Sequence, residues 1–252
     1  MNAGKTPASG LFVTGTDTGV GKTFVGCALL RAWRGQGVDP MPCKPVESGC
    51  EAGPQGLRAA DGETLTAAAG LPVDATAHVT PWRFADALAP DQAARNAGQP
   101  LYLAQLLEAC EAQRGHARGP LLVEGAGGFY SPLAEDALNA DLAEALGLPV
   151  LLVAEDRLGT LNACLLTVEA LRHRGLTLAG LVLNRRRADT DPRLDNASAL
   201  RARLDAPVVE LPEGVDPEAA GQRVSTSIAS GITPPPSSGA SPASGRSSSS
   251  AS

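Results

Sequence analysis

The residues of this 252-residue chain that point most directly to chemistry are a lysine and a threonine set behind closely spaced glycines. They lie in Gly15-Thr16-Asp17-Thr18-Gly19-Val20-Gly21-Lys22-Thr23, between the apolar run Leu11-Phe12-Val13 and the helix-like stretch from Phe24 to Leu30. Glycines let backbone N–H groups converge on an anion, and a helix N-terminus adds free donors and positive dipole. Strand, glycine-rich turn and helix in that order cradle the phosphates of a nucleoside triphosphate, ATP or GTP. Lys22 would reach the β- and γ-phosphates, and the Thr23 hydroxyl would ligate the accompanying Mg2+. The spacing is irregular. The usual pattern wants glycine five residues before Gly21, where Thr16 stands, with Gly15 one position further back.

Other polar residues stand where apolar runs end. Glu124 directly follows Pro120-Leu121-Leu122-Val123 and opens the turn Gly125-Ala126-Gly127-Gly128. A carboxylate there can hold Mg2+ beside a γ-phosphate, or simply accept N–H bonds from its own glycine turn. Lys44 closes a short extended segment and reads either as a site cation or as a solvated surface lysine. Asp61 by itself reads as a helix-start residue. Asn184 ends the run Leu178–Leu183.

Positioning these residues requires a particular set of elements. Continuous apolar runs at Pro120–Glu124, Pro149–Ala154 and Leu178–Asn184 predict strands covered on both faces, as in a parallel sheet. The prolines of Pro40–Val46 make that segment an edge-like strand, and Pro207–Leu211 reads as a last short one. Helical patterns fall at Ala59–Ala69, Leu101–Arg114, Leu161–His173 and Pro192–Leu204, whereas Val79–Ala89 has no clean period and reads as loop. The alternation predicts an α/β fold: a mostly parallel open sheet with helices on both faces, of the P-loop NTPase kind. Ligands then gather at the carboxyl ends of the strands. The expected organisation is a flexible N-terminus (1–10), one domain (11–224), and a disordered Ser/Pro/Gly/Ala-rich tail (225–252) too poor in apolar residues to pack.

Composition bounds the partners. A hydrophobic content of 43% suffices for a full core, and only 3% is aromatic, so that core is mostly Ala, Leu and Val. The net charge of −6 argues against nucleic acid or an anionic membrane as partner. No run approaches the roughly 20 apolar residues of a membrane span, and the first residues do not read as a signal peptide. The five cysteines are odd in number, lack a C-x-x-C pair, and read as small apolar fillers in a reducing compartment. The expected location is cytoplasmic.

Assembled in order, these motifs resemble the dethiobiotin synthetases over about Leu11 to Leu211. The resemblance rests on Phe12–Thr23, on Lys44-Pro45-Val46-Glu47-Ser48-Gly49 and on Gly56–Asp61. It continues through Val123–Gly128, Leu158-Gly159-Thr160-Leu161-Asn162 and Gly175–Gly180. It accounts for the shifted first glycine, a feature of that family. By resemblance, Gly19, Val20, Gly21, Lys22, Thr23 and Phe24 wrap the phosphates, with Gly125, Ala126 and Gly127 also at the nucleotide. Thr23, Asp61 and Glu124 hold Mg2+, and Lys44 is the catalytic lysine. Asn184 reads adenine, with Pro212 and Glu213 nearby. Ser48 contacts the second substrate, and Gly159, Thr160 and Asn162 receive its carboxylate across a homodimer interface. Two positions depart from the pattern: Gly19 where some members have Glu, and Asp91 where His is frequent.

The activity implied is closure of a cyclic urea from ATP, CO2 or bicarbonate, and 7,8-diaminopelargonic acid. The carbamate of one amine is phosphorylated by ATP, and the second amine attacks the resulting mixed anhydride. Two other classes compete. A nucleotide switch of the partition-ATPase type typically bears a second lysine early in the loop, where this chain has Asp17 and Thr18. A corrinoid amidoligase needs a glutaminase domain, for which the C-terminal residues offer no room.

Overall fold

The computed structural model describes residues 10–54, 56–186, 191 and 193–229. Six parallel strands form its centre: β1 (Gly10–Gly15), β2 (Met41–Cys43), β7 (Leu121–Gly128), β10 (Val150–Glu155), β11 (Leu178–Asn184) and β12 (Val208–Leu211). They lie in the order β12-β11-β10-β1-β7-β2. Smaller pairings join β3 (Val46–Ser48) to β6 (Trp82–Phe84), β4 (Glu51–Gly53) to β5 (Gly56–Arg58), and β8 (Pro132–Ala134) to β9 (Ala137–Leu138).

Both faces of the central sheet are covered, which is why its strands read as unbroken apolar runs. Leu11 and Val13 of β1 point to a core shared with α1 (Lys22–Gly35), α2 (Ala60–Ala68) and α9 (Pro217–Ile228). Phe12, between them in sequence, faces the opposite layer. There α4 (Pro90–Asn96), α5 (Leu103–His116) and α6 (Asn139–Leu146) pack near β1 and β7, while α7 (Thr160–His173) and α8 (Asn196–Arg201) cover β10 and β11. The short α3 (Thr76–Val79) sits beside α2 and α5. The expected α/β architecture is what the chain forms, with the proline-rich β2 at one edge.

Several boundaries move. The stretch expected to be loop at Val79–Ala89 contains β6, held by parallel pairing of Val46 with Trp82 and Ser48 with Phe84, a long-range contact that leaves no local period. Helix α8 is shorter than the expected Pro192–Leu204; Pro192 itself lies outside the described residues. The domain does not stop at residue 224. Helix α9 starts at Pro217 under an Asp216 cap that accepts N–H bonds from Glu218 and Ala219 at 3.0 and 3.1 Å. It continues to Ile228, burying Ala220, Val224 and Ile228 at helical spacing against α1 and the sheet. Gly221 lets the two helices touch: a Cβ there would stand 2.1 Å from the Ala28 carbonyl oxygen. The expected tail from 230 onward and residues 1–9 lie outside the described residues.

Candidate functional site

Connections leave β1 toward β2 and β7 on one side, while β10 lies on the other, so the crevice opens at the carboxyl end of β1. The glycine loop fills that end. Gly19 and Gly21 have φ of 74° and 98°, a left-handed backbone that glycine adopts without strain. Gly21 also needs the missing side chain, since a Cβ would lie 2.2 Å from the Asn184 amide nitrogen. Behind the loop, Asn184 Nδ2 donates to the Val20 carbonyl at 3.0 Å. Val20 turns its side chain into the core and is not among the residues that line the phosphate cavity. Lys22 opens α1 and its Nζ donates to the Asp17 carbonyl at 2.9 Å.

Three elements distant in sequence meet the loop. Glu124 comes from β7, opposite Val13 in the register and just before a register shift between Val13 and Gly15, where β7 carries extra residues. Its Oε1 accepts from Thr23 Oγ1 at 2.8 Å and from Lys44 Nζ at 2.8 Å. Lys44, one residue past β2, also pairs with Asp61 Oδ2 from the first turn of α2. The side chains of Lys44 and Glu124 are buried, at 5% and 0% exposure, while that of Asp61 is 44% open to solvent. The lysine is therefore no surface residue. Asp61 sits in the first turn of its helix and points its carboxylate into the cluster.

The charges tune one another. Burial alone would lower Lys44, but Glu124 and Asp61, with Glu47 behind them, outweigh it and hold the ammonium well above its ordinary value. Burial draws Lys22 down to about 8; Glu124 opposes this fall and Lys44 adds to it. For Asp61, burial favours the protonated form, yet the charge of Lys44 and hydrogen bonds from Lys44 and Thr23 prevail and lower it. Glu47 goes the other way, raised because burial outweighs Lys44 and two backbone donors.

One cavity of about 440 Å³ gathers this machinery. Gly19, Gly21, Lys22, Thr23 and Phe24 line one wall. Lys44, Ser48, Asp61, Glu124, Ala126 and Gly127 line much of the rest. Gly125 is buried beneath, where its Cβ would stand 2.5 Å from Asn139 Oδ1. Pro212 and Glu213 are exposed and follow Leu211, which pairs with Asn184 across β11 and β12. Gly159, Thr160 and Asn162 do not line the cavity; they start α7 at the end of β10, where Thr160 Oγ1 turns back to the Glu155 carbonyl. Asp91 lies in the first turn of α4, pairing along that helix with Arg95 at 2.8 Å. A roomier cavity of about 620 Å³ lies between α3 and α5, but none of its lining residues is Lys or Arg, so it offers phosphate no countercharge.

Three residues without an expected role belong to the site. Glu47 lines the cavity and binds the start of α2. Arg186 donates to the Gly19 carbonyl at the cavity mouth, two residues beyond the strand end at Asn184. Asn139 is fully buried and clamps the turn after Glu124, accepting from Ala126 N at 2.9 Å and donating to the carbonyls of Ala126, Gly128 and Ser131. Glu47 was visible inside its motif, and strand-end logic reaches Arg186. Asn139 comes 15 residues after Glu124 in an unremarkable polar position, and only the fold joins them.

The donor set fits Mg2+. Glu124 Oε2 is buried without a hydrogen-bond partner among the described residues, and Thr23 Oγ1 and the Asp61 carboxylate share its surroundings. Among the described residues no group of three or more His, Cys, Asp or Glu could hold a metal alone. Two carboxylates and a hydroxyl suit an ion that takes its other ligands from water and phosphate.

Loop, sheet and countercharges together define a nucleotide-binding α/β domain of the P-loop NTPase kind. The AAA domain family profile matches residues 9–213. The chain is 49% identical over 195 residues to the ATP-dependent dethiobiotin synthetase BioD of Anaeromyxobacter dehalogenans (strain 2CP-C), covering 77% of this chain and 85% of that one. It is 44% identical over 196 residues to the protein of the same name from Pseudomonas paraeruginosa (strain DSM 24068 / PA7), covering 78% and 86%. Among solved structures, the signal recognition particle receptor FtsY from Elizabethkingia anophelis matches with a TM-score of 0.49 at 15% identity, over 89% of this chain and 66% of that one. The chain belongs to the dethiobiotin synthetase family.

Proposed function

We propose that the chain is an ATP-dependent ligase that closes the cyclic urea of dethiobiotin from 7,8-diaminopelargonic acid and CO2. The observation that carries this reading is Lys44. A second buried lysine, brought in from the edge strand, stands in the phosphate cavity beside Glu124 and Asp61. The reaction needs no enzyme nucleophile. One amine takes up CO2 as a carbamate, whose oxygen attacks the γ-phosphorus of ATP and releases ADP. The second amine then attacks the carbamoyl carbon and expels phosphate.

Catalysis is positioning and charge stabilisation, with orientation alone worth up to roughly 7–11 kcal/mol in favourable cases. Lys22 and Lys44 offset charge on the transferring phosphoryl group. Thr23, Asp61 and Glu124 would hold Mg2+, which neutralises phosphate charge when bound. Ser48, whose hydroxyl donates to the Leu88 carbonyl at 2.7 Å, lines the diamine side. Asn184, with Pro212 and Glu213, forms the base pocket. Since Gly159, Thr160 and Asn162 stand away from their own chain's cavity, they serve the diamine carboxylate of a second copy in a homodimer; a helix N-terminus suits that anion. Buried thiols free of disulfides at all five cysteines support a cytoplasmic setting.

Product analysis with ATP, bicarbonate and the diamine tests the reading. Dethiobiotin forms in step with ADP; ATP hydrolysis indifferent to the diamine would sink it. Light scattering gives twice the chain mass, and a mass near one chain would remove the shared-site role of Asn162.

A further inference from the structure

Helix α2 carries Asp61 in its first turn, yet has no cap of its own. The residue before it is Ala59, whose side chain offers no acceptor to the free N–H groups there. The acceptor comes from another element. Glu47 of β3 reaches across so that its Oε1 accepts from Asp61 N at 3.1 Å and its Oε2 accepts from Gly62 N at 3.0 Å. The carboxylate is buried, 7% exposed, and both oxygens are spent on the same turn. On the other side that turn is pressed against Thr80, with a Cβ on Gly62 falling 2.2 Å from Thr80 Oγ1. The start of α2 is thus gripped from two sides, and one grip is the charge within the Lys44–Asp61–Glu124 cavity.

We propose that Glu47 is a positioning residue for the phosphoryl-transfer step: through the backbone of Asp61 and Gly62 it sets where the Asp61 carboxylate meets Lys44, Thr23 and Glu124. It need not touch substrate or metal to act. A carboxylate at a helix N-terminus is satisfied there by two donors and the helix dipole, which explains how a buried acid without a direct ion pair is accommodated. Gln at this position has the same shape but one acceptor oxygen; its NH2 would face a backbone donor, leaving one N–H unpaired and the turn free to shift. The inference rests on the reading of Asp61 as a metal ligand.

The test is calorimetric titration of Mg2+ into full-length protein saturated with ADP, comparing wild type, Glu47→Gln, Asp61→Asn and the double variant. Glu47→Gln weakens Mg2+ binding by about tenfold or more, the usual scale for a residue that orients a ligand. It lowers kcat and leaves the KM for the diamine unchanged. Because Glu47 acts through Asp61, the double variant binds Mg2+ no more weakly than Asp61→Asn alone. Wild-type Mg2+ affinity in Glu47→Gln, or losses that simply add in the double variant, would overturn the inference. If Asp61→Asn itself leaves Mg2+ affinity intact, the metal-ligand reading falls and carries this one with it, so the two failures are distinguishable. Should Glu47→Gln not fold, Glu47→Asp goes through the same titration; it keeps the charge, withdraws it by one carbon, and weakens Mg2+ in the same direction.

Discussion

Two neighbouring turns, β1 into α1 and β10 into α7, are built alike and do different work. Each helix has 14 residues and starts after a left-handed glycine, Gly21 with φ of 98° and Gly159 with φ of 91°. Each has threonine within its first two residues. At the first turn, Thr23 Oγ1 donates outward to Glu124; at the second, Thr160 Oγ1 closes back on the Glu155 carbonyl. The difference lies in the neighbours. Next to β1 stands β7 with Glu124, and beyond it β2 with Lys44. Next to β10 stands β11, whose end brings Arg185 into an ion pair with Asp156 at 2.8 Å. A strand–glycine–helix turn makes an anion-friendly backbone in both places, and the adjoining strand ends decide which one handles a triphosphate.

The glycine pair separates the two turns most sharply. Alanine at either position meets the left-handed penalty, about 1–2 kcal/mol. At Gly159 the nearest outside atom to a new Cβ is Arg157 Nη1 at 3.9 Å, so thermal melts of Gly159→Ala show that penalty alone. At Gly21 the Cβ also meets Asn184 Nδ2 at 2.2 Å, and the loop must move. Gly21→Ala therefore melts lower than Gly159→Ala and loses ATP binding by calorimetry, and equal melting points would break the comparison.

Lys44→Gln comes next, with turnover falling at least about tenfold while ATP affinity stays within severalfold. Removing one partner of a buried pair costs about 3–5 kcal/mol, so a melt accompanies the kinetics to show that the variant is folded at the assay temperature. Unchanged turnover would remove Lys44 from catalysis.

The mildest effect is in pH. Lys22 has its pKa drawn down to about 8 in the free protein, so it is charged below that pH and neutral above it. Accordingly kcat/KM for ATP falls as pH rises through about 8, by about tenfold per pH unit beyond it. Activity remaining in Lys22→Arg is flat over that range, since guanidinium keeps its proton. A profile still rising at pH 9 in the unaltered protein would assign the Lys22 charge wrongly.

Much of the site could be read from strand ends. Lys44, Glu124 and Asn184 were marked because each stands where an apolar run stops, and those runs do form the sheet. Asp61 resisted such reading: a helix-start aspartate is ordinary, and only its contact with Lys44 distinguishes it. Glu47 and Asn139 are not legible as supports because their hydrogen bonds span 14 and 13 residues to the backbone they hold. Helix α9 leaves little trace in the sequence for a different reason. Its buried positions are Ala220, Gly221, Val224, Ser225 and Ile228, of which only Val224 and Ile228 are sizeable and apolar, too few to mark a face before α1 is there to receive them.

What the amino-acid sequence determined by itself was local: a glycine loop whose backbone must converge on an anion, a helix that begins at Lys22, and strands buried on both faces. These follow from dihedral freedom and from apolar runs, which act over a few residues. The tertiary structure decided which of two similar turns acquires a lysine and two carboxylates. It also decided which carboxylate binds a helix end and which stays open. Those outcomes depend on strand order and register, and charges many residues apart interact strongly only once burial has removed the water between them.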